Sequence, residues 1–208
     1  MTDLIDAIAA HARTDPHATL DEHAWLGDAI DDDRDADLFV AWGRSTVIDE
    51  NTRTSVIDPP LFAALHDRAR IDARWPVGNA GLLHVYGYLL STVTTPYGLK
   101  RERWLSGELA RAYGLQADAF VPWAQSPSTT LLARVTDAAS RAIDRDAVRT
   151  IDRGATLAFH RATGAGPWAL TYALGGRLIT AFPVASTEAI LAEWDADPDR
   201  LRWNAVGG

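Results

Sequence analysis

A chain of 208 residues, 47% hydrophobic and 23% charged, is long enough to bury one core and too apolar for wholesale disorder, so a single globular domain over 1–208 is expected. Its formal net charge of -8 opposes binding to a phosphate backbone, which needs a concentrated positive face, and no nucleic-acid partner is expected. The lack of any cysteine removes disulfides, thiolate nucleophiles and cysteine-bound metals in one step.

In chain order, a first helix is predicted behind Thr2 or Asp3, with Leu4, Ile5, Ile8 and Ala12 at helical spacing and Asp15-Pro16 as its stop. The opening MTDLIDAIAAHAR is acidic where a secretion signal needs a basic start, and no apolar run approaches the roughly 18 residues of a membrane span. A cytoplasmic protein with no membrane partner is therefore the expectation. A second helix is predicted from Leu20 to Ile30, ahead of the run Asp31-Asp32-Asp33-Arg34-Asp35-Ala36-Asp37. Its alternating carboxylates suggest calcium, but Ala36 and Trp42 stand where such a loop needs glycine and a bidentate glutamate. The run reads as a solvated acidic loop, in which Asp31, Asp32 and Asp33 should tolerate serine with little effect on stability.

A strand is predicted over 38–48, paired with TRTSVI across the turn Asp49-Glu50-Asn51, and a helix from Leu61 to Trp75. Leu82 to Thr95 reads as a strand with His84, Tyr86, Tyr88, Thr92 and Thr94 on one face, although Leu82, Val85 and Leu89 also fit a helical face. Pro96-Tyr97-Gly98 supplies a turn, and a helix from Ser106 to Tyr113 closes at Gly114. A further helix lies in STTLLARVTDAASRAI, and strands in TLAFHRA, PWALTYAL and RLITAFPV. Gly175-Gly176 forms the hairpin turn between the last two, and TEAILAEW is a final helix. The class is α+β, a mainly antiparallel sheet with helices packed on one face.

Motifs with chemistry are few. The string Gly164-Ala165-Gly166-Pro167-Trp168-Ala169 matches a dinucleotide fingerprint in letters, but a hairpin follows it where a helix N-terminus is required, so it reads as a loop between strands. There is no phosphate-binding loop and no nucleophile elbow, and no two of the six histidines have the spacing that places both on one helical face. His17 and His23, beside Asp21 and Glu22, read as surface residues. No cofactor and no metal are expected.

What remains is the stretch around the Pro96-Tyr97-Gly98 turn. Lys100, Arg101 and Arg103 form the densest positive group in the chain, beside a face carrying a histidine and tyrosines. That combination suits a small molecule bearing a carboxylate or phosphate, held by Lys100, Arg101, Arg103 and His160, with His84, Tyr86 and Tyr97 as candidate catalytic groups. Lys100, the one lysine, reads as a fixed charge and not as an imine former, since KRERW looks strongly hydrated. The leading expectation is a small-molecule enzyme or ligand binder for a small anionic metabolite. The alternative is an acidic interaction protein, of inhibitor or immunity type, that covers a basic protein partner, and a homodimer stays open.

Overall fold

Breaks in the N-terminal helices follow local chemistry. The computed structural model describes residues 2–123, 129–151 and 154–207. It begins with α1 (Thr2–Ala12), which buries Ile5, Ile8, Ala9 and Ala12. Asp15 then accepts from the backbone N–H of Ala18 at 3.0 Å and Pro16 opens α2 (Pro16–Glu22), so the pair that stops one helix starts the next. The helix predicted from Leu20 to Ile30 is two pieces. The chain turns after Glu22, and α3 spans Gly27–Asp35 with the Gly27 backbone packed on the carbonyl of Leu20, a contact that only the intervening turn can close.

The expected acidic loop is mostly α3, and this is a correction with consequences. Asp33 is fully buried and accepts hydrogen bonds from the Tyr86 hydroxyl and the Thr130 hydroxyl. Arg34 lies between Asp31 and Asp35, and Arg68 bonds Asp31 at 2.6 Å. Asp33 is thus withdrawn from solvent and Asp31 is paired, while Asp32, Asp35 and Asp37 remain exposed. The strand predicted over 38–48 shrinks to β1 (Arg44–Thr46), preceded by a tight 3-10 turn at Leu38–Ala41. Its ladder partner is β2 (Val77–Asn79), while the 52–57 segment turns back antiparallel on the residues after β1, through the Ile48–Ser55 bridge and the bonds Val56 N–H to Val47 O at 3.0 Å and Asp49 N–H to Thr54 O at 2.9 Å. Between β1 and β2, α4 (Pro59–Ala69) is capped by Asp58, which accepts from Leu61 N at 3.0 Å, and it stops at Arg70 in a left-handed conformation.

The strand predicted from Leu82 to Thr95 is overturned. Leu82–Gly87 is a π-helical segment that runs into a short α5 (Tyr88–Leu90), and only Thr94–Thr95 is extended, as β3. Every residue from Leu82 to Leu90 is buried, because α1 packs on α5 and α4 packs on the π segment. A helix covered on all sides carries no polar face, so alternation and helical spacing become indistinguishable in its sequence. A side chain at Gly81 would collide with the Trp42 ring, which shows how closely the segment's start is packed.

After β3 a hairpin returns as β4 (Gly98–Leu99), with Tyr97 at its tip. Short helices α6 (Glu102–Leu105) and α7 (Glu108–Ala112) follow, the second closed near Gly114 as predicted. Thr130 caps α8 (Leu131–Asp146) by accepting from Ala133 N at 3.1 Å. The C-terminal sheet is antiparallel in the order β5 (Ala147–Ile151), β6 (Ala155–His160), β7 (Trp168–Leu174), β8 (Arg177–Val184). The first of these strands was missed, since it follows α8 without a turn residue. Gly175 and Gly176 both have positive φ, 59° and 76°, as the two-residue hairpin needs. Ala169 and Ala173 of β7 join the main helical core, and Leu170 and Tyr172, one position out of step, face a second cluster around Trp194 of α9 (Thr187–Ala196) and Trp203. The fold is α+β with antiparallel sheets, and among the described residues no helix is long and apolar enough to cross a membrane.

Burial at Asp33 sets a test of this packing. Desolvation raises its carboxyl to about 6, against the hydrogen bonds from Thr130 and Tyr86, which act the other way. The folded state therefore holds the proton more tightly than the unfolded chain, so the group's contribution is full below about pH 4 and is lost as pH rises through 6. Urea unfolding at pH 4 and pH 7.5 should show a loss of about 3 kcal/mol that is absent in Asp33→Asn. Asp33→Ala should cost about 2 kcal/mol or more at either pH, because it removes the acceptor of the buried Tyr86 hydroxyl and of the half-buried Thr130 hydroxyl.

Candidate functional site

The π-helical segment decides which of the predicted residues meet. A strand would place His84, Tyr86 and Tyr88 on one face. The helix instead stacks His84 on Tyr88, ring centroids 4.7 Å apart, and sends Tyr86 the other way to Asp33. The amide of Tyr88 bonds to Leu83 O, and the carbonyl of His84 accepts the indole N–H of Trp104 at 3.0 Å. This contact fixes α6 against the segment. Residues 100 and 103 come to lie together as a result, with the Lys100 ammonium 5.7 Å and the Arg103 guanidinium 5.2 Å from the centre of the Tyr88 ring.

His84, Lys100 and Arg103 thus form one cluster with Tyr88. The other four predicted residues stand apart. Tyr97 is 81% exposed at the hairpin tip, and Arg101 is 2% exposed and paired with Asp6 of α1. KRERW is therefore not a hydrated tract, because Arg101 and Arg103 both turn inward. His160 lies at the end of β6, where its Nδ1 is 2.7 Å from Asp146 and its ring stacks on Tyr113, beside a cavity of about 210 Å3.

Each cation in the cluster has a different electrostatic situation. Lys100 bonds Asp49 at 2.5 Å. Burial lowers the Lys100 ammonium, the Asp49 contact opposes this, and Arg103 adds repulsion. Asp49 is also buried, which acts upward, but Lys100 and the amides of Thr52 and Asn51 outweigh that and hold it below the usual carboxylate range. The two partners respond differently because burial, with Arg103 adding to it, outweighs the pairing at Lys100, whereas two backbone amides reinforce the pairing at Asp49. Arg103 donates to Thr180 at 2.8 Å and lies over Tyr88, Phe182 and Trp104, but no carboxylate among the described residues pairs with it. Burial lowers it from its ordinary value, and it stays a cation.

His84 and Tyr88 complete the site as neutral groups. Burial, then Arg103 and Lys100, push His84 well below 6.5, so the ring is uncharged at neutral pH. Ser45 Oγ is 2.9 Å from its Nε2 and 3.0 Å from the carbonyl of Asn204. Both contacts are satisfied together only if Ser45 donates to that carbonyl and accepts from Nε2–H. A looser contact of the ring with the backbone of Ile179 opposes the downward shift. Burial likewise pushes Tyr88 up to about 12, with Arg103 and the Asn204 side chain opposing. Neither group is placed to trade a proton with solvent at neutral pH, whereas the unneutralised guanidinium is placed to hold an anion.

Ser45, Asp49, Thr180 and Asn204 are site residues that sequence reading missed. Tyr88 was visible on the predicted face, but nothing marks Asn204, which lies in the tail after α9 in a left-handed conformation. Comparison of the chain with protein-family models, with curated proteins and with solved structures found no match.

Proposed function

We propose that this protein binds a small anion, the carboxylate or phosphate of a metabolite, at Arg103, with Lys100 and Tyr88 beside it. The observation that carries the reading is a partly buried guanidinium with one hydrogen bond and no carboxylate partner among the described residues. A buried charge is costly unless paired, and arginine presents five N–H donors in a fork that fits carboxylate and phosphate. An anionic ligand supplies both the missing charge and the missing acceptors. The surrounding rings of Tyr88, Trp104 and Phe182 exclude water and strengthen that contact.

The same geometry favours binding over proton transfer, since His84 and Tyr88 are both held neutral by burial. The interaction-protein alternative drew on the net charge of -8, the Asp31 to Asp37 run and the lack of a catalytic motif; within that run Asp31 and Asp33 are engaged by Arg34, Arg68, Tyr86 and Thr130, and Asp32, Asp35 and Asp37 stay exposed.

A substitution at Arg103 separates ligand binding from architecture. Without ligand, Arg103→Met should be about as stable as the parent, because an apolar side chain among Tyr88, Trp104 and Phe182 replaces a partly buried cation that no described carboxylate pairs. With millimolar inorganic phosphate or acetate, thermal melts should show stabilisation of the parent and none of the variant. Lys100→Gln should weaken the response about tenfold in affinity and keep it measurable. A ligand response unchanged in Arg103→Met would refute the reading.

A further inference from the structure

A second concentration of positive charge lies elsewhere, at a surface cleft of about 760 Å3 between the 37–44 and 69–79 segments. Five arginines line it: Arg34, Arg44, Arg70, Arg74 and Arg177. Arg34 is neutralised by Asp31 and Asp35. The other four are exposed and make no ion pair with a described residue. Asp37 and Asp72 are the acidic residues of the lining, so the cleft is cationic in a chain whose formal charge is -8. Phe39, Ile71 and Val77 add apolar surface, and Val40 on its edge is 58% exposed.

Backbone conformation gives an independent pointer to the same place. Arg70 has φ 54° and Asp37 has φ 55°, and both line the cleft. Arg70 occupies the C-terminal cap of α4, where glycine takes the left-handed conformation without the steric cost of a side chain. The fold keeps an arginine there, and its guanidinium makes no ion pair that would account for it. Strain retained at a non-glycine residue is a recurrent mark of a site.

We infer that this cleft binds a small molecule carrying at least two phosphate groups. Four unpaired guanidinium forks supply donors for more than one phosphate, the volume suits a small organic ligand, and the apolar floor accommodates its uncharged part. A long nucleic acid would run beyond the cleft onto a surface of the opposite preference, repelled by the net charge. The site shares no residue with the Arg103 cluster.

Isothermal titration calorimetry on the full chain at low salt tests this, with inorganic tripolyphosphate, a nucleoside triphosphate, citrate and a single-stranded oligonucleotide as probes. In Arg103→Met, which removes the first anion site, both polyphosphates should still bind saturably, at one per chain, and more tightly than citrate or the oligonucleotide. Raising the salt should weaken them. Arg70→Gly should lose about tenfold in affinity, the scale of one charge-assisted contact, with an unchanged or raised Tm. Arg177→Ala, at the exposed start of β8, should weaken binding similarly, and both losses should persist in the Arg103→Met background. Absence of saturable polyphosphate binding, undiminished binding in Arg70→Gly and Arg177→Ala, loss confined to Arg103→Met, or tighter binding of citrate or the oligonucleotide would each overturn the inference.

Discussion

Burying the segment from Leu82 to Leu90 on every side imposes a constraint on much of the rest of the chain. Three of its residues carry polar tips into the core, and a buried polar group must find a partner or cost a substantial part of the fold's net stability. His84 finds Ser45 of β1, Tyr86 finds Asp33 of α3 and Thr130 before α8, and Tyr88 finds Asn204 of the tail. These contacts join elements far apart in sequence, among them one between Tyr86 and Asp33 and one between Ser45 and Asn204. The central helix therefore acts as a hub whose polar ends specify where its neighbours sit. Its backbone contributes too, through the His84 carbonyl that receives Trp104.

Placement of charge follows from that hub. The Trp104 contact brings α6 against the core, and the residues around it have to enter the interior with it. Arg101 meets Asp6, Lys100 meets Asp49, and Arg103 meets aromatic rings and one hydroxyl. Two of the three cations are neutralised within the chain, and the third is the feature on which the binding reading stands. The acidic balance of the sequence hides this arrangement. Many carboxylates are committed to internal pairs, whereas unpaired guanidinium groups gather at two separate places.

Legibility of the sequence varied with the kind of signal. Asp15-Pro16 marked the end of α1 and the Ser/Thr stretch before Leu131 marked the start of α8, because stop and cap signals depend on a few adjacent residues; that Asp15 and Asp58 cap the helices after them emerges only in the structure. Gly175-Gly176 marked its hairpin for the same reason, since a two-residue turn needs positive φ at both positions. The α8 helix has one apolar and one polar side, so its period survives in the letters. The 82–95 stretch has no such contrast, and its helix was read as a strand. The 31–37 run looked solvated because charge alone does not reveal a buried carboxylate with two hydroxyl donors.

The sequence by itself determined the α+β class, the C-terminal hairpin with its neighbouring strands, several helices such as α1, α7, α8 and α9, and the concentration of cations between residues 100 and 103. These rest on local rules: capping, turn conformation, and periodicity where one face is wet. Tertiary structure alone decided that His84 and Tyr88 join Lys100 and Arg103 while Tyr86, Tyr97, Arg101 and His160 do not. It also decided that Asp49 neutralises Lys100 and that no described carboxylate neutralises Arg103. The physical reason is that pairing of buried charges is settled by which elements pack together, and the contacts that bring Asp49 to Lys100 or Asn204 to Ser45 span most of the chain and leave no periodic trace along it.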